Sequence, residues 1–215
     1  MASLPIWLFD LDNTLHDASP HIFPHINRSM TEYLERHLSL GREEANALRK
    51  RYWERYGATL LGLMRHHGTD PRHFLVETHR FERLHEMMVF DRALRGMLRR
   101  LPGRRIVFSN APRHYARAAL EVMGVAGEFE EVVGIEDLDY QPKPGIQAYR
   151  RLLSARRLNP SRCIMVEDTA ANLRTAKRLG MRTVLVSRGL RTPAYVDIKL
   201  ASVLDLRRQL GRLIA

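Results

Sequence analysis

The 215-residue chain contains a single cysteine, Cys163, so no intrachain disulfide can form, and its apolar neighbours predict a buried, inert thiol. That redox profile suits a reducing cytoplasm, where we expect the protein to work. Long apolar runs are also missing. None approaches the roughly 20 residues needed to span a bilayer, and the opening MASLPIWLFDLDNTL has no basic segment ahead of its short apolar stretch, so neither a membrane span nor a secretory signal is expected. Aromatic residues make up only 7%, which bears on the meaning of the charge. The formal net charge of +11 would suit a polyanionic partner. Its carriers, however, fall in helical-looking stretches (Arg92, Arg95, Arg99 and Arg100; Arg150, Arg151, Arg156 and Arg157) with few aromatics between them, as on solvated helix faces. Nucleic-acid binding is disfavoured accordingly. Lysine is scarcer still: it stands only at Lys50, Lys143, Lys177 and Lys199, and the rest of the 35 cationic residues are arginine. A compact ammonium differs from a planar guanidinium where one small anionic site needs a point charge, which singles out Lys143.

What is present is an alternation. Short apolar runs at 6–9, 105–109, 131–133, 163–166 and 182–186 read as buried strands, separated by helical patterns at 113–123, 146–155 and 170–179. Such alternation predicts an α/β fold with a doubly wound, Rossmann-like parallel sheet. The segment 196–210 should give a short strand followed by a helix. Between the first and second strands the pattern changes to helix-compatible stretches at 23–38, 42–56, 59–67 and 74–84, separated by Gly41, Gly57, Gly68 and the Thr69-Asp70-Pro71 turn. We therefore expect a core of residues 1–15 and 89–215 interrupted by an all-helical insertion of residues 16–88. Neither an internal repeat nor a low-complexity linker is evident.

In such sheets ligands sit beyond the carboxyl ends of the strands, so the polar residues that close each apolar run are the site candidates. The first run closes with Asp10-Leu11-Asp12-Asn13-Thr14, the second with Ser109-Asn110 and the fourth with Glu167-Asp168, while Lys143 lies in Gln141-Pro142-Lys143-Pro144. Two aspartates separated by one residue in an extended segment face the same way. Close carboxylates repel unless a cation intervenes, and the acidic pair at 167–168 adds charge that magnesium, an oxygen-preferring ion, would neutralise. Asp10 could then attack phosphorus, Asp12 could exchange protons with the leaving group and with water, and Lys143 could stabilise the equatorial oxygens, with Thr14, Ser109 and Asn110 around the phosphoryl group. Each signal alone has a plainer explanation. An Asp-rich turn caps helices, Ser-Asn makes turns, and lone lysines or Glu-Asp pairs are usually solvated. Their joint placement at strand ends is what favours phosphoryl transfer.

Taken together, DLDNT at Asp10 to Thr14, FSN at Phe108 to Asn110, QPKP around Lys143 and VEDTAAN at Val166 to Asn172 resemble the four motifs of the haloacid dehalogenase superfamily, in its order and across most of the chain. The resemblance implies Asp10 as nucleophile, Asp12 as acid/base and as a metal ligand through its backbone carbonyl, Ser109 as phosphate contact, Lys143 as charge stabiliser and Asp168 as metal ligand. Magnesium would be the cofactor. Glu167 would reach the metal directly or through water, and Asn172 would support the site from behind. The dehalogenases of the superfamily lack an aspartate at the position of Asp12, so the resemblance points to a phosphatase.

The helical insertion resembles the cap of the superfamily's first subclass, which selects small substrates. Within it, Tyr52-Trp53-Glu54-Arg55-Tyr56-Gly57-Ala58-Thr59-Leu60-Leu61-Gly62-Leu63 resembles a stretch of the subclass's pyrimidine 5′-nucleotidases, with Trp53 where tyrosine is usual. The aromatics are suited either to stacking a nucleobase or to forming the cap core. The polar stretch 16–27 is a further candidate for the pocket lining, without roles for individual residues. The expected substrate is a small phosphorylated metabolite, a pyrimidine nucleoside 5′-monophosphate first, with a sugar phosphate as alternative and a basic nucleic-acid-binding protein on an inactive scaffold as the third reading.

Overall fold

The computed structural model describes residues 4–214. Ile6–Phe9 (β1), Arg104–Phe108 (β2), Glu131–Val133 (β3), Cys163–Glu167 (β4), Arg182–Val186 (β5) and Ile198–Leu200 (β6) form one parallel sheet in the order β3-β2-β1-β4-β5-β6. Every residue of β1 and β4 is buried, as strands in the middle of a parallel sheet must be when both faces are covered. The strand order reverses between β1 and β4, and at such a switch point the loops beyond the carboxyl ends part to leave a crevice. Register then fixes what lies there. Phe9 pairs with Val107 on one side and Val166 on the other, so Asp10, Phe108 and Glu167 follow at a common level.

The chain divides into two compact units. One reaches to Asp17 and resumes at Met88; the other is Ala18–Met87. The second unit consists of helices Ile22–Leu38 (α1), Arg42–Tyr56 (α2), Thr59–His67 (α3), Pro71–Thr78 (α4) and Leu84–Met87 (α5), the all-helical cap inserted into the α/β core. The helix expected at 74–84 instead starts at Pro71, because the Asp70 side chain accepts the Arg72 N–H at 2.9 Å and Pro71 fills a first-turn position where no N–H is needed. It stops at Thr78, and Leu84 begins a separate turn.

In the sheet unit, Leu94–Leu98 (α6), Arg113–Val122 (α7), Ile146–Ala155 (α8) and Ala170–Arg178 (α9) connect successive strands. Their buried residues recur at helical spacing: Tyr115, Ala116, Ala119 and Leu120 on α7, Ala148, Tyr149 and Leu152 on α8. Gly103, at φ +90°, makes the turn into β2, where any Cβ would fall 2.1 Å from the Pro5 carbonyl oxygen. After β6 the expected helix is a 3₁₀ segment over Val203–Gln209, with α-helical geometry only at Leu210–Leu213 (α10). The buried side chains there, Val203 and Leu206, lie three apart, and a three-residue turn stacks them on one side. Among the described residues no helix is long and apolar enough to cross a membrane.

One glycine in the cap allows a strong test. A Cβ at Gly62 on α3 would lie 2.2 Å from Tyr52 Cγ and 2.6 Å from Tyr52 Cβ on α2. Rotating the tyrosine cannot relieve the second clash. Gly62→Ala should therefore destabilise the cap by roughly 1–3 kcal/mol through overpacking, outweighing alanine's helix-propensity gain of about 1 kcal/mol. Gly96→Ala on α6, where a Cβ meets nothing within 4 Å, should be neutral or stabilising. Thermal melts by circular dichroism compare the two directly.

Candidate active site

The Asp10 N–H donates to the Val166 carbonyl at 3.0 Å, extending the β1–β4 pairing one residue past the strand and fixing the side chain over the switch point. The chain then turns through residues 11–15. The N–H groups of Thr14 and Leu15 reach back to the Leu11 carbonyl at 3.3 and 2.9 Å, and Asn13 adopts φ 62°, a left-handed conformation that asparagine tolerates better than most residues.

At the centre is Lys143, 2% exposed. Its Nζ donates to Asp10 Oδ1 at 2.8 Å, to the Phe108 carbonyl at 2.7 Å and to Glu167 Oε2 at 2.9 Å. These acceptors belong to the three residues that the register sets at one level: Asp10 just past β1, and the last residues of β2 and β4. Three donors on a rotatable ammonium suit three separate acceptors around one point better than a planar guanidinium does. Asn110 holds the lysine's backbone: its Oδ1 accepts the Lys143 N–H at 2.8 Å and its Nδ2 donates to the Lys143 carbonyl at 3.0 Å. Both ends of the Asn110 amide are thus spent on the Lys143 segment. Ser109 is buried, with Oγ accepting the Ala111 N–H at 3.0 Å. Thr14 Oγ1, in the turn that follows β1, is buried with no hydrogen-bond partner among the described residues, an orphaned polar group of the kind a ligand satisfies.

The acidic residues gather around the same point. Asp10, Glu167 and Asp168 each offer a carboxylate oxygen, all within 4.8 Å of one another. Burial drives the Asp10 carboxyl up to about 7, with Glu167 adding to the rise and Lys143 opposing it. Burial likewise raises Glu167 and Asp168. For Lys143 burial acts in the other direction, but Asp10 and Glu167 more than reverse it and keep the ammonium charged above its ordinary range. Three carboxyl groups against one ammonium leave an excess of negative charge, and an all-oxygen donor set of this kind fits a hard divalent cation. The Glu167 oxygens already accept from Lys143, from Asn172 Nδ2 at 2.9 Å and from the Thr169 N–H at 3.1 Å. Asp168, partly exposed, accepts the Thr169 hydroxyl at 3.2 Å on Oδ1 and is also coupled to the neighbouring Glu167 carboxyl.

The Asp12 side chain stands outside that carboxylate group. Its Oδ1 accepts from the Tyr115 hydroxyl at 2.7 Å and lies 3.0 Å from His16 Nε2. The sequence assigned no role to either partner. His16 lay within an undifferentiated polar stretch, and Tyr115 matched the apolar face of α7, so periodicity alone marks it as core.

In the cap, Tyr52 is buried and its hydroxyl pairs with His67 Nε2 at 2.8 Å; the Tyr56 hydroxyl pairs with His66 Nε2 at 2.6 Å. Trp53 is 62% exposed. Of the two roles open to these aromatics, Tyr52 takes the packing one.

Comparison with known proteins gives a consistent picture. The family described as haloacid dehalogenase-like hydrolase matches residues 6–180. The phosphoglycolate phosphatase of Rhodospirillum rubrum is 28% identical over 95% of this chain and 88% of its own length. That of Pseudomonas putida is 25% identical over 93% of this chain and 76% of its own. Among solved structures, a HAD phosphatase from Thermococcus onnurineus superposes with a TM-score of 0.67 at 22% identity, covering 98% of this chain and all of that one.

Proposed function

Because this chain belongs to the haloacid dehalogenase-like hydrolases, we propose that it is a divalent-cation-dependent phosphomonoesterase that releases phosphate from small phosphorylated metabolites by way of an aspartyl-phosphate on Asp10. The observation that carries the reading is the Lys143 ammonium joining Asp10 and Glu167 with Asp168 alongside. Lys143 grips Asp10 Oδ1 and so orients the nucleophile, while its charge favours the anionic phosphoryl group. An Asp10 oxygen attacks phosphorus, the bond from phosphorus to the ester oxygen breaks, and the departing alkoxide takes a proton from Asp12. Water then attacks the phosphoryl group on Asp10, giving its proton to Asp12, and inorganic phosphate leaves. Asp10 and Asp168, with the Asp12 carbonyl that the family resemblance assigns, would hold a magnesium ion, which when bound supplies Lewis-acid charge at the phosphoryl oxygens. Glu167 acts in this scheme as the fixed counter-charge of Lys143. Thr14 Oγ1, buried and without a partner among the described residues, is suited to a phosphoryl oxygen.

For the substrate, a small organic phosphate is the better reading, supported by the names of the two curated relatives. A pyrimidine nucleoside 5′-monophosphate is the second, resting on the Tyr52 to Leu63 resemblance. Burial of Tyr52 against Gly62 accounts for part of that stretch as packing. Phosphate release should be measured from 2-phosphoglycolate, sugar phosphates, UMP and CMP, with magnesium and with chelator. We expect chelation to slow release by about 100-fold or more, the several kcal/mol that a metal commonly supplies at a phosphoryl group. Release that ignores chelator would remove the cation from the scheme, and UMP and CMP outranking the other substrates would restore the nucleotide reading.

A further inference from the structure

Asp12 is held in an unusual way for a group that must exchange protons. Two side chains converge on the same oxygen: Tyr115 Oη donates to Oδ1 at 2.7 Å, and His16 Nε2 lies 3.0 Å from that atom. Tyr115 Oη and His16 Nε2 are themselves 3.4 Å apart, so the three groups close a small triangle. The Tyr115 and His16 side chains are buried, while that of Asp12 keeps 15% exposure. A carboxylate oxygen can only accept, which assigns the imidazole hydrogen to Nε2 when Asp12 is ionised. His16 Nδ1 is then an acceptor, buried and without a hydrogen-bond partner among the described residues, and Nε2 carries the hydrogen directed at Asp12. Burial, and then the Asp12 charge, raise the Tyr115 hydroxyl far above its ordinary range, so it remains a donor at any working pH.

We propose that Tyr115 and His16 are positioning residues for Asp12: two donors pin Oδ1, fixing the plane and rotamer of the carboxyl so that Oδ2 carries the transferable proton. The inference rests on the phosphomonoesterase reading and adds to it the means by which the acid is aimed. The proton balance is simple. Oδ2–H gives its proton to the ester oxygen as the phosphorus–oxygen bond breaks, and Oδ1 keeps both donors before and after. An acid free to rotate about its side-chain torsions would spend much of its time misdirected. Two fixed donors remove that freedom, as pre-organised catalytic groups require.

This arrangement predicts a loss that depends on the leaving group. An alkoxide needs the proton; 2,4-dinitrophenolate, a stable anion, leaves almost unaided. The experiment compares kcat/KM for the alkyl phosphate that ranks first in the substrate panel with kcat/KM for 2,4-dinitrophenyl phosphate, in the native enzyme and in Tyr115→Phe, His16→Leu and His16→Gln. For Tyr115→Phe and His16→Leu we expect about 100-fold loss on the alkyl phosphate and no more than about 5-fold on the aryl one, in the range that general acid catalysis contributes. His16→Gln, whose amide can donate near the former Nε2, should recover most of the alkyl activity. Equal losses on both substrates, or no loss on either, would overturn the positioning role while leaving the phosphatase reading intact. A native enzyme inactive on every ester would overturn the phosphatase reading itself. Tyr115→Phe keeps the ring that packs in the core, so its result stands even if His16→Leu fails to fold.

Discussion

Replacing Asp10 by asparagine should abolish phosphate release while leaving the protein as stable as before or more so. In the role proposed for Asp10, the nucleophile that forms the covalent intermediate has no substitute, and its loss is expected to lower kcat by about 10⁴-fold or more. The stability prediction follows from the environment. The carboxyl is buried beside Glu167, and its pKa stands at about 7 against an ordinary 3.8. A carboxyl whose folded pKa is raised stabilises the fold fully below its unfolded pKa and loses that contribution as pH rises through the folded value. At pH 8 without added metal, the native protein therefore bears the full cost of burying this charge, and Asp10→Asn, which carries none, does not. The melting temperature of Asp10→Asn should equal or exceed the native one at pH 8, and its advantage should shrink as pH falls through about 7 toward 4. An Asp10→Asn protein that melts well below the native one at pH 8 would show that the ion pair with Lys143 outweighs the burial cost.

Lys143→Met should show the opposite pairing of effects, losing both activity and stability. The ammonium is nearly inaccessible and supplies hydrogen bonds to two buried carboxyl groups and to the Phe108 carbonyl. Methionine fills a similar volume but leaves those acceptors unmet. Breaking a buried ion pair by removing one partner costs about 3–5 kcal/mol, which for a chain of this size corresponds to a melting temperature lower by roughly 6–20 °C. Equilibrium urea unfolding supplies the free energy. Adding Glu167→Gln to Lys143→Met should recover part of it, because one uncompensated charge is then gone; the double-mutant cycle measures the coupling. A Lys143→Met protein of native stability would mean that the cluster does not depend on its ammonium. Lysine's scarcity pointed to this residue, but its depth and three acceptors are what make the expected effect large.

Much of the architecture could be read along the chain. β1 and β4 show as unbroken apolar runs because both faces of a central parallel strand are covered. The acidic residues closing those runs fall together at the carboxyl edge because the two strands run parallel. The exceptions have local causes. Asp70 and Pro71 start α4 earlier than the apolar pattern does, and the spacing of Val203 and Leu206 favours a 3₁₀ segment over an α-helix. Other features were illegible because they depend on partners far along the chain. Tyr115 reaches Asp12 across 103 positions, and Asn110 meets the Lys143 backbone across 33. Nothing in α7's periodicity distinguishes a tyrosine that fills the core from one whose hydroxyl ends on an acid.

The alternation of strands and helices, the helical insertion, and the set of polar residues delivered to one edge of the sheet are all written in the amino-acid order, since burial and backbone geometry repeat at periods that local sequence records. Which of those residues meet depends on how the folded chain packs. The pairing register sets Asp10, Phe108 and Glu167 at one level, and the Lys143 loop brings an ammonium within 3 Å of all three. Packing likewise joins His16 and Tyr115 at a single oxygen of Asp12. Hydrogen bonds depend on tenths of an ångström and on angle, whereas sequence periodicity specifies only a face, so pairings between distant residues are fixed when the sheet and its helices pack.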